Sequence, residues 1–247
     1  MARPASQHNL GLRSLILVGL LVFGFFLVTE RGLLGDALRS DRSYISYVIL
    51  AIYVVASCQW GMLTFRMSAE RNRLVVLETE VASADATALG LTPAGVEVGE
   101  EDWEGGYLAD HLWNLLDKHE AGVLAGEQSA LIRALGDTIA NRHSTGHFAS
   151  DVLLKLGLLG TMVGFILMLA PVAQVGEFEG SAARQLLADM SGGMAVALYT
   201  TVAGLVTSTL LKLQYQVLDS AAQDLLNRVT VVTDAYVSAV GGRTGAP

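Results

Sequence analysis

The sequence predicts an all-α membrane protein with four transmembrane helices and long cytoplasmic helical extensions, on three observations. Mean hydropathy is +0.45, with 52% hydrophobic residues against 16% charged ones, a composition too apolar for an ordinary soluble domain. Four stretches are apolar enough to cross a bilayer, which takes about 20 residues because backbone groups find no water in hydrocarbon and must bond within the segment. The polar segments around them carry apolar residues at helical spacing rather than in strand alternation.

The first span runs from Leu10 to Val28. Arg13 interrupts it, and the uncharged run starts at Ser14. Val28-Thr29-Glu30 is a poor cleavage site with no Ala-x-Ala pattern after it, so the segment reads as an anchor rather than a leader. The second span, Tyr44 to Phe65, continues helically through Leu74, Leu77 and Val81. Gly90, Pro93, Gly95 and Gly99 then mark Thr87 to Gly99 as a linker. Trp103, Tyr107, His111, Leu112 and Leu115 form one face of a helix expected to stop near Gly122, and Leu124, Leu131, Ile132, Leu135 and Ile139 belong to a second amphipathic helix. The third span covers Val152 to Val172 and the fourth Met190 to Leu211. Beyond it an apolar stripe from Leu213 through Leu218, Leu225 and Val232 reaches about Val240, where Gly241 and Gly242 end it. The chain thus divides into a first pair of spans (1–65), a cytoplasmic helical insert (66–151), a second transmembrane hairpin (152–213) and a cytoplasmic C-terminal helix and tail (214–247).

Basic residues set the orientation. Arg3, Arg13, Arg66, Arg71, Arg73, Arg142, Lys155, Lys212 and Arg228 share one side, against Arg31, Arg39, Arg42 and Arg184 on the other. Both termini and the insert are therefore expected in the cytoplasm. A net charge of -8 argues against nucleic acid and against a polybasic lipid switch. The single Cys58 excludes an intrachain disulfide. His143 and His147 have a helical metal-ligand spacing, but two histidines make an incomplete site, so no metal site is expected. The acidic cluster Glu97, Glu100, Glu101, Asp102 and Glu104 reads as a solvated linker and helix start. Glu70, Glu78 and Glu80 are candidates for an acidic collar below the membrane, with ordinary exposed surface as the alternative. With no nucleophile-base constellation, phosphate loop or cofactor box, no enzyme is expected.

The last two spans differ from the first two. Gly157, Gly160, Thr161, Gly164 and Met168 fall on one side of the third, and Gly193, Ala197, Thr200, Thr201, Gly204 and Ser208 on one side of the fourth. Two readings stand: close helix packing through small residues, or a cavity lined by hydroxyls for an ion. No ionisable residue lies in the central part of any span, so an ion relay would have to borrow its acid from a partner.

The segment Leu156-Gly157-Leu158-Leu159-Gly160-Thr161-Met162-Val163-Gly164 resembles the LGLLGTxxG signature of the MotA/TolQ/ExbB family of ion-channel subunits. Met194-Ala195-Val196-Ala197-Leu198-Tyr199-Thr200-Thr201-Val202-Ala203-Gly204-Leu205 is similar to its partner signature ending in ALxxTxxGL. The resemblance covers about the last 100 residues. It implies a homopentamer around a dimer of a single-span MotB/ExbD/TolR-like subunit carrying a membrane aspartate, in the bacterial inner membrane. It further implies that the third and fourth helices line the pore, with the first two facing lipid, and that passage of H+ or Na+ drives mechanical work without a cofactor. Thr161 and Thr201 match the family's pore threonines, and Thr200 doubles the second. Gly157, Gly160, Gly164, Gly193, Ala197, Gly204 and Ser208 would line the pore beside them.

Four spans and a length near 250 residues favour a flagellar-stator arrangement. The prolines that flank the pore helices of proton-type stators are absent, however, with Leu154 and Gln214 at about those places. The alternatives are a TolQ/ExbB-like energiser of envelope transport and a non-conducting four-span scaffold.

Overall fold

The computed structural model describes residues 43–82, 89–92, 95–99, 101–120, 124–172 and 180–244, with the single positions 16, 19, 30 and 35. The first expected span, Leu10 to Val28, lies outside the described residues apart from positions 16 and 19. Four helices have their bounds among the described residues: α1 (Ile45–Ala82), α2 (Tyr107–Glu120), α3 (Leu124–Leu169) and α4 (Gly180–Thr244). Segments of three of them, Ile45–Val81, Gln128–Leu169 and Arg184–Ser238, are long and apolar enough to cross a membrane. Their outward side chains include Val55 and Phe65 on α1, Met162 and Ile166 on α3, and Leu198 and Val202 on α4. Such exposure has no cost where the solvent is lipid.

Three boundaries differ from the sequence expectation. The expected second amphipathic helix and the third span are one unbroken α3 of 46 residues. Helix α4 starts at Gly180, so that Arg184 lies in a helix rather than a loop, and it continues past Gly241 and Gly242 to Thr244. Glycine weakens a helix by only about 1 kcal/mol per residue, which is too little to end one of 65 residues. The expected linker holds a three-stranded antiparallel sheet, β1 (Leu89–Thr92), β2 (Gly95–Val98) and β3 (Glu101–Trp103), in the order β1-β2-β3. Its register pairs Leu91 with Val96 and Val96 with Trp103. The inward alternation amounts to Val96 and Val98 around an exposed Glu97, and this period-2 signal is two cycles long among glycines. Gly95 is required where it stands, because a Cβ there would overlap the carbonyl of Trp103.

The chain forms two compact units. One comprises Met62–Ser144 and Leu218–Pro247. In it the sheet and α2 bury Val96, Val98, Trp103, Leu108, Leu112 and Leu115, while Leu74 and Leu77 of α1 and Leu225 and Val229 of α4 are also inaccessible. Two of the three candidate collar residues, Glu70 and Glu78, are taken up in this unit's own contacts. The Glu70 carboxylate, 6% exposed, accepts hydrogen bonds from the amides of Tyr107 (3.2 Å) and Leu108 (3.0 Å), which have no intrahelical partner at the start of α2. Arg73 pairs with Glu70 at 3.5 Å, donates to the carbonyl of Gly105 at 2.7 Å and stacks on Trp103. Glu78 accepts two bonds from Arg228, at 2.9 and 2.6 Å. This pairing holds the Arg228 guanidinium above its already high pKa. Arg71 pairs with Asp224 at 3.2 Å. Sequence reasoning left these carboxylates unpartnered because their partners lie far along the chain, 150 residues away for Glu78.

Candidate ion pathway in the α3–α4 hairpin

The other unit comprises Met1–Gly61 and Thr145–Val217, and within it the small faces of α3 and α4 meet. A Cβ on Gly204 would stand 2.6 Å from the Cα of Gly157 and 2.9 Å from the carbonyl oxygen of Leu153. One on Gly160 would fall on the Thr200 side chain, one on Gly164 against Ala197, and one on Gly193 against the Met168 backbone. The structure thus brings Gly157, Gly160 and Gly164 together with Gly204, Thr200 and Ala197 in antiparallel order. Glycines at these positions allow the two backbones to approach to direct contact, as small residues do between membrane helices.

The three threonines fare differently. Thr200 is fully buried; its hydroxyl donates back to the carbonyls of Val196 (2.8 Å) and Ala197 (3.2 Å), and its side chain covers Gly160. Thr201 is half-buried. Its hydroxyl lies 2.7 Å from the carbonyl of Ala197 and 3.4 Å from that of Gly157 across the hairpin. Thr161 is also half-buried and donates to the carbonyl of Leu158 at 2.5 Å. Since the amide of residue i+4 bonds the carbonyl of residue i in a helix, Gly157 is the acceptor of the Thr161 amide, and Thr201 approaches α3 at that turn. A hydroxyl has one proton and two lone pairs, so self-capping leaves each threonine oxygen able to accept. Ser208 is buried further along the same face of α4.

Among the described residues, none of the hydrogen bonds of the three threonines goes to an ionisable side chain. Lys212 pairs with Asp151 at 3.1 Å, both about half exposed. The ring of His147 packs 5.7 Å from that of Tyr215. His143 belongs to the other unit, where its Nδ1 lies 2.8 Å from Asp219 Oδ1. The two histidines therefore turn to different neighbours.

Sequence reasoning missed a polar cluster between α1 and α4. Gln214 accepts from the Ser57 hydroxyl at Oε1 (3.2 Å) and from the Trp60 indole N–H at its main-chain oxygen (2.6 Å). Tyr215 donates to the carbonyl of Ala56 at 3.5 Å. The only local signal was an amide side chain inside an apolar stripe, next to a tyrosine.

Residues 132–230 match the MotA/TolQ/ExbB proton channel family. The match takes in the α3–α4 hairpin contact with all three threonines and every glycine of that contact, and extends along both helices into the other unit. The MotA/TolQ/ExbB family is one of proton channels rather than of enzymes, and its channels work with single-span partners. The match and the three long apolar helices together point to a multi-pass membrane protein. Comparison with curated proteins and with solved structures gave no match.

Proposed function

We propose that the chain is the channel-forming subunit of an ion-driven rotary motor, which couples a proton or sodium gradient to mechanical work through a single-span partner. The observation that carries this reading is the placement of Thr161 and Thr201 at one turn of a glycine-packed hairpin, inside the stretch that matches a proton channel family. The glycines bring the helices together, Thr200 fills the contact, and the half-buried hydroxyls of Thr161 and Thr201 present oxygens to an ion or to a protonated carboxyl. No ionisable side chain lies at that level of the hairpin, so the acid is a membrane aspartate of the partner. Five copies around two partner chains enclose the path, with the hairpins toward the axis, α1 toward lipid, and both termini in the cytoplasm of a bacterial inner membrane. The unit that holds the sheet and α2 then stands in the cytoplasm.

A glycine-packed hairpin would serve a non-conducting scaffold equally well, and one experiment separates the two. The chain is produced with a single-span MotB/ExbD/TolR-like subunit, and the complex is weighed by native mass spectrometry. Inverted membrane vesicles are assayed for ion uptake in parallel. The motor reading expects a five-to-two complex and partner-dependent uptake. A stable monomer or dimer without uptake would leave the scaffold.

A further inference from the structure

The contacts of Gln214 lie apart from the candidate ion pathway and join α1 to the hairpin through buried polar groups. Gln214 is 2% exposed, and Trp60 and Ala56 are 4% exposed each. An amide buried among apolar helices is costly unless its groups are bonded. Here α1 supplies the bonds: the Ser57 hydroxyl to Oε1, the Trp60 indole to the main-chain oxygen and, one residue on, the carbonyl of Ala56 to Tyr215. The fully buried Tyr215 ring also fills the space over Gly146 of α3, where a Cβ would overlap it. Three helices are thereby joined at one level, and parting α1 from α4 would break the bonds of Ser57 and Trp60 to Gln214, whose amide is 2% exposed among apolar helices.

We infer that Gln214, with Ser57 and Trp60, is a positioning residue that keeps α1 fixed to the hairpin throughout the working cycle, so that the apolar helices of this unit move as one body. The inference rests on the channel reading above. Gln214 lies thirteen residues beyond Thr201 on α4, about 20 Å at 1.5 Å per residue, so it acts through the helix and never touches the ion.

The test is a reversible tie in assembled protein. In a Cys58→Ser background, Ser57→Cys with Gln214→Cys removes the side-chain hydrogen bond, and bridging the two thiols with a short bis-methanethiosulfonate replaces it by a covalent link. Ion uptake by vesicles carrying the chain and its partner is read before bridging, after bridging and after reduction. Uptake is expected to fall at least threefold in the unbridged pair at an unchanged amount of complex, to recover to at least half the wild-type rate on bridging, and to fall again on reduction. Loss of uptake on bridging that reduction reverses would mean that α1 and α4 must part, and overturns the inference; equal rates in all three states overturn it too. If the cysteine pair does not assemble, Ser57→Ala is compared with Ser57→Thr. The alanine should lower uptake about threefold and the threonine, which keeps the hydroxyl, should not; equal rates again overturn the inference. Wild-type vesicles that take up no ion would instead overturn the channel reading on which it rests.

Discussion

The hydroxyl of Thr201 lies 3.4 Å from the carbonyl oxygen of Gly157, so a side chain of α4 reaches the backbone of α3 at the turn that leads to Thr161. An ion or a partner carboxyl that engages Thr201 is therefore beside both helices at once.

Thr201→Val tests that placement. Valine keeps the shape of threonine and removes its donor and acceptor. Assembly is expected to be normal, with ion-driven work reduced at least tenfold, while Thr201→Ser retains much of it. Thr161→Val should behave alike. Full activity in both valine variants, measured as ion uptake with the native partner, would reduce the threonines to packing residues.

Gly204→Leu should disrupt the hairpin, since even a Cβ would stand 2.6 Å from the Gly157 backbone. Overpacking typically costs about 1–3 kcal/mol where side chains can shift, and backbone cannot move aside as a side chain does. Thermal denaturation in detergent should show a melting point lowered by several degrees or no assembly. Gly192→Leu is the control: nothing lies within 4 Å of a Cβ at that position, and its melting point should match the wild type.

Glu70→Ala removes the shared acceptor of the Tyr107 and Leu108 amides and the carboxylate beside Arg73. Loss of a helix cap costs about 0.5–2 kcal/mol, so amide exchange at the first turn of α2 should quicken by roughly 2- to 30-fold. Ion uptake at low salt should change no more than at high salt. A selective low-salt loss would show instead that Glu70 attracts ions, which its burial argues against.

His111 gives the sheet and α2 an acid-sensitive stability. Burial lowers its pKa from 6.5 to about 4, because the charged imidazolium is the form that desolvation penalises. The unfolded chain then binds the extra proton between those values, so the contribution is present in full above about pH 6.5 and is lost as the pH falls toward 4. The expected loss is roughly 3 kcal/mol at most, read as faster amide exchange in α2 with acidification. His111→Phe should flatten that dependence.

What was legible in the sequence was what repeats along one helix. Gly157, Gly160 and Gly164 announce a small face by spacing alone, and three apolar stretches announce long helices by composition. Illegible were the features whose halves lie far apart in the chain. The carboxylate of Glu70 caps a helix 37 residues on, and Ser57 finds Gln214 across 157 residues; neither has a local period to betray it. The sheet escaped for a different reason, since Val96 and Val98 give too short an alternation to stand out among turn glycines. The positions of Thr161 and Thr201 were legible, whereas the burial of Thr200 was not, because it depends on the glycine that faces it from the other helix.

The direct backbone contact of α3 and α4 also dictates how this protein is free to vary in evolution. At Gly157 and Gly204 there is no side-chain atom to trim in compensation, so neither position can gain a methyl group unless the whole helix pair respaces. Gly160 and Thr200 share one volume, and a larger residue at the first calls for a smaller one at the second. The outward residues Leu158, Met162, Leu198 and Val202 are exposed on the single chain and meet no such constraint within it. Descendants of this chain should therefore show two neighbouring clocks on the same helices, one nearly stopped where the two backbones touch and a faster one on the outward faces, slowed only where other chains pack against them.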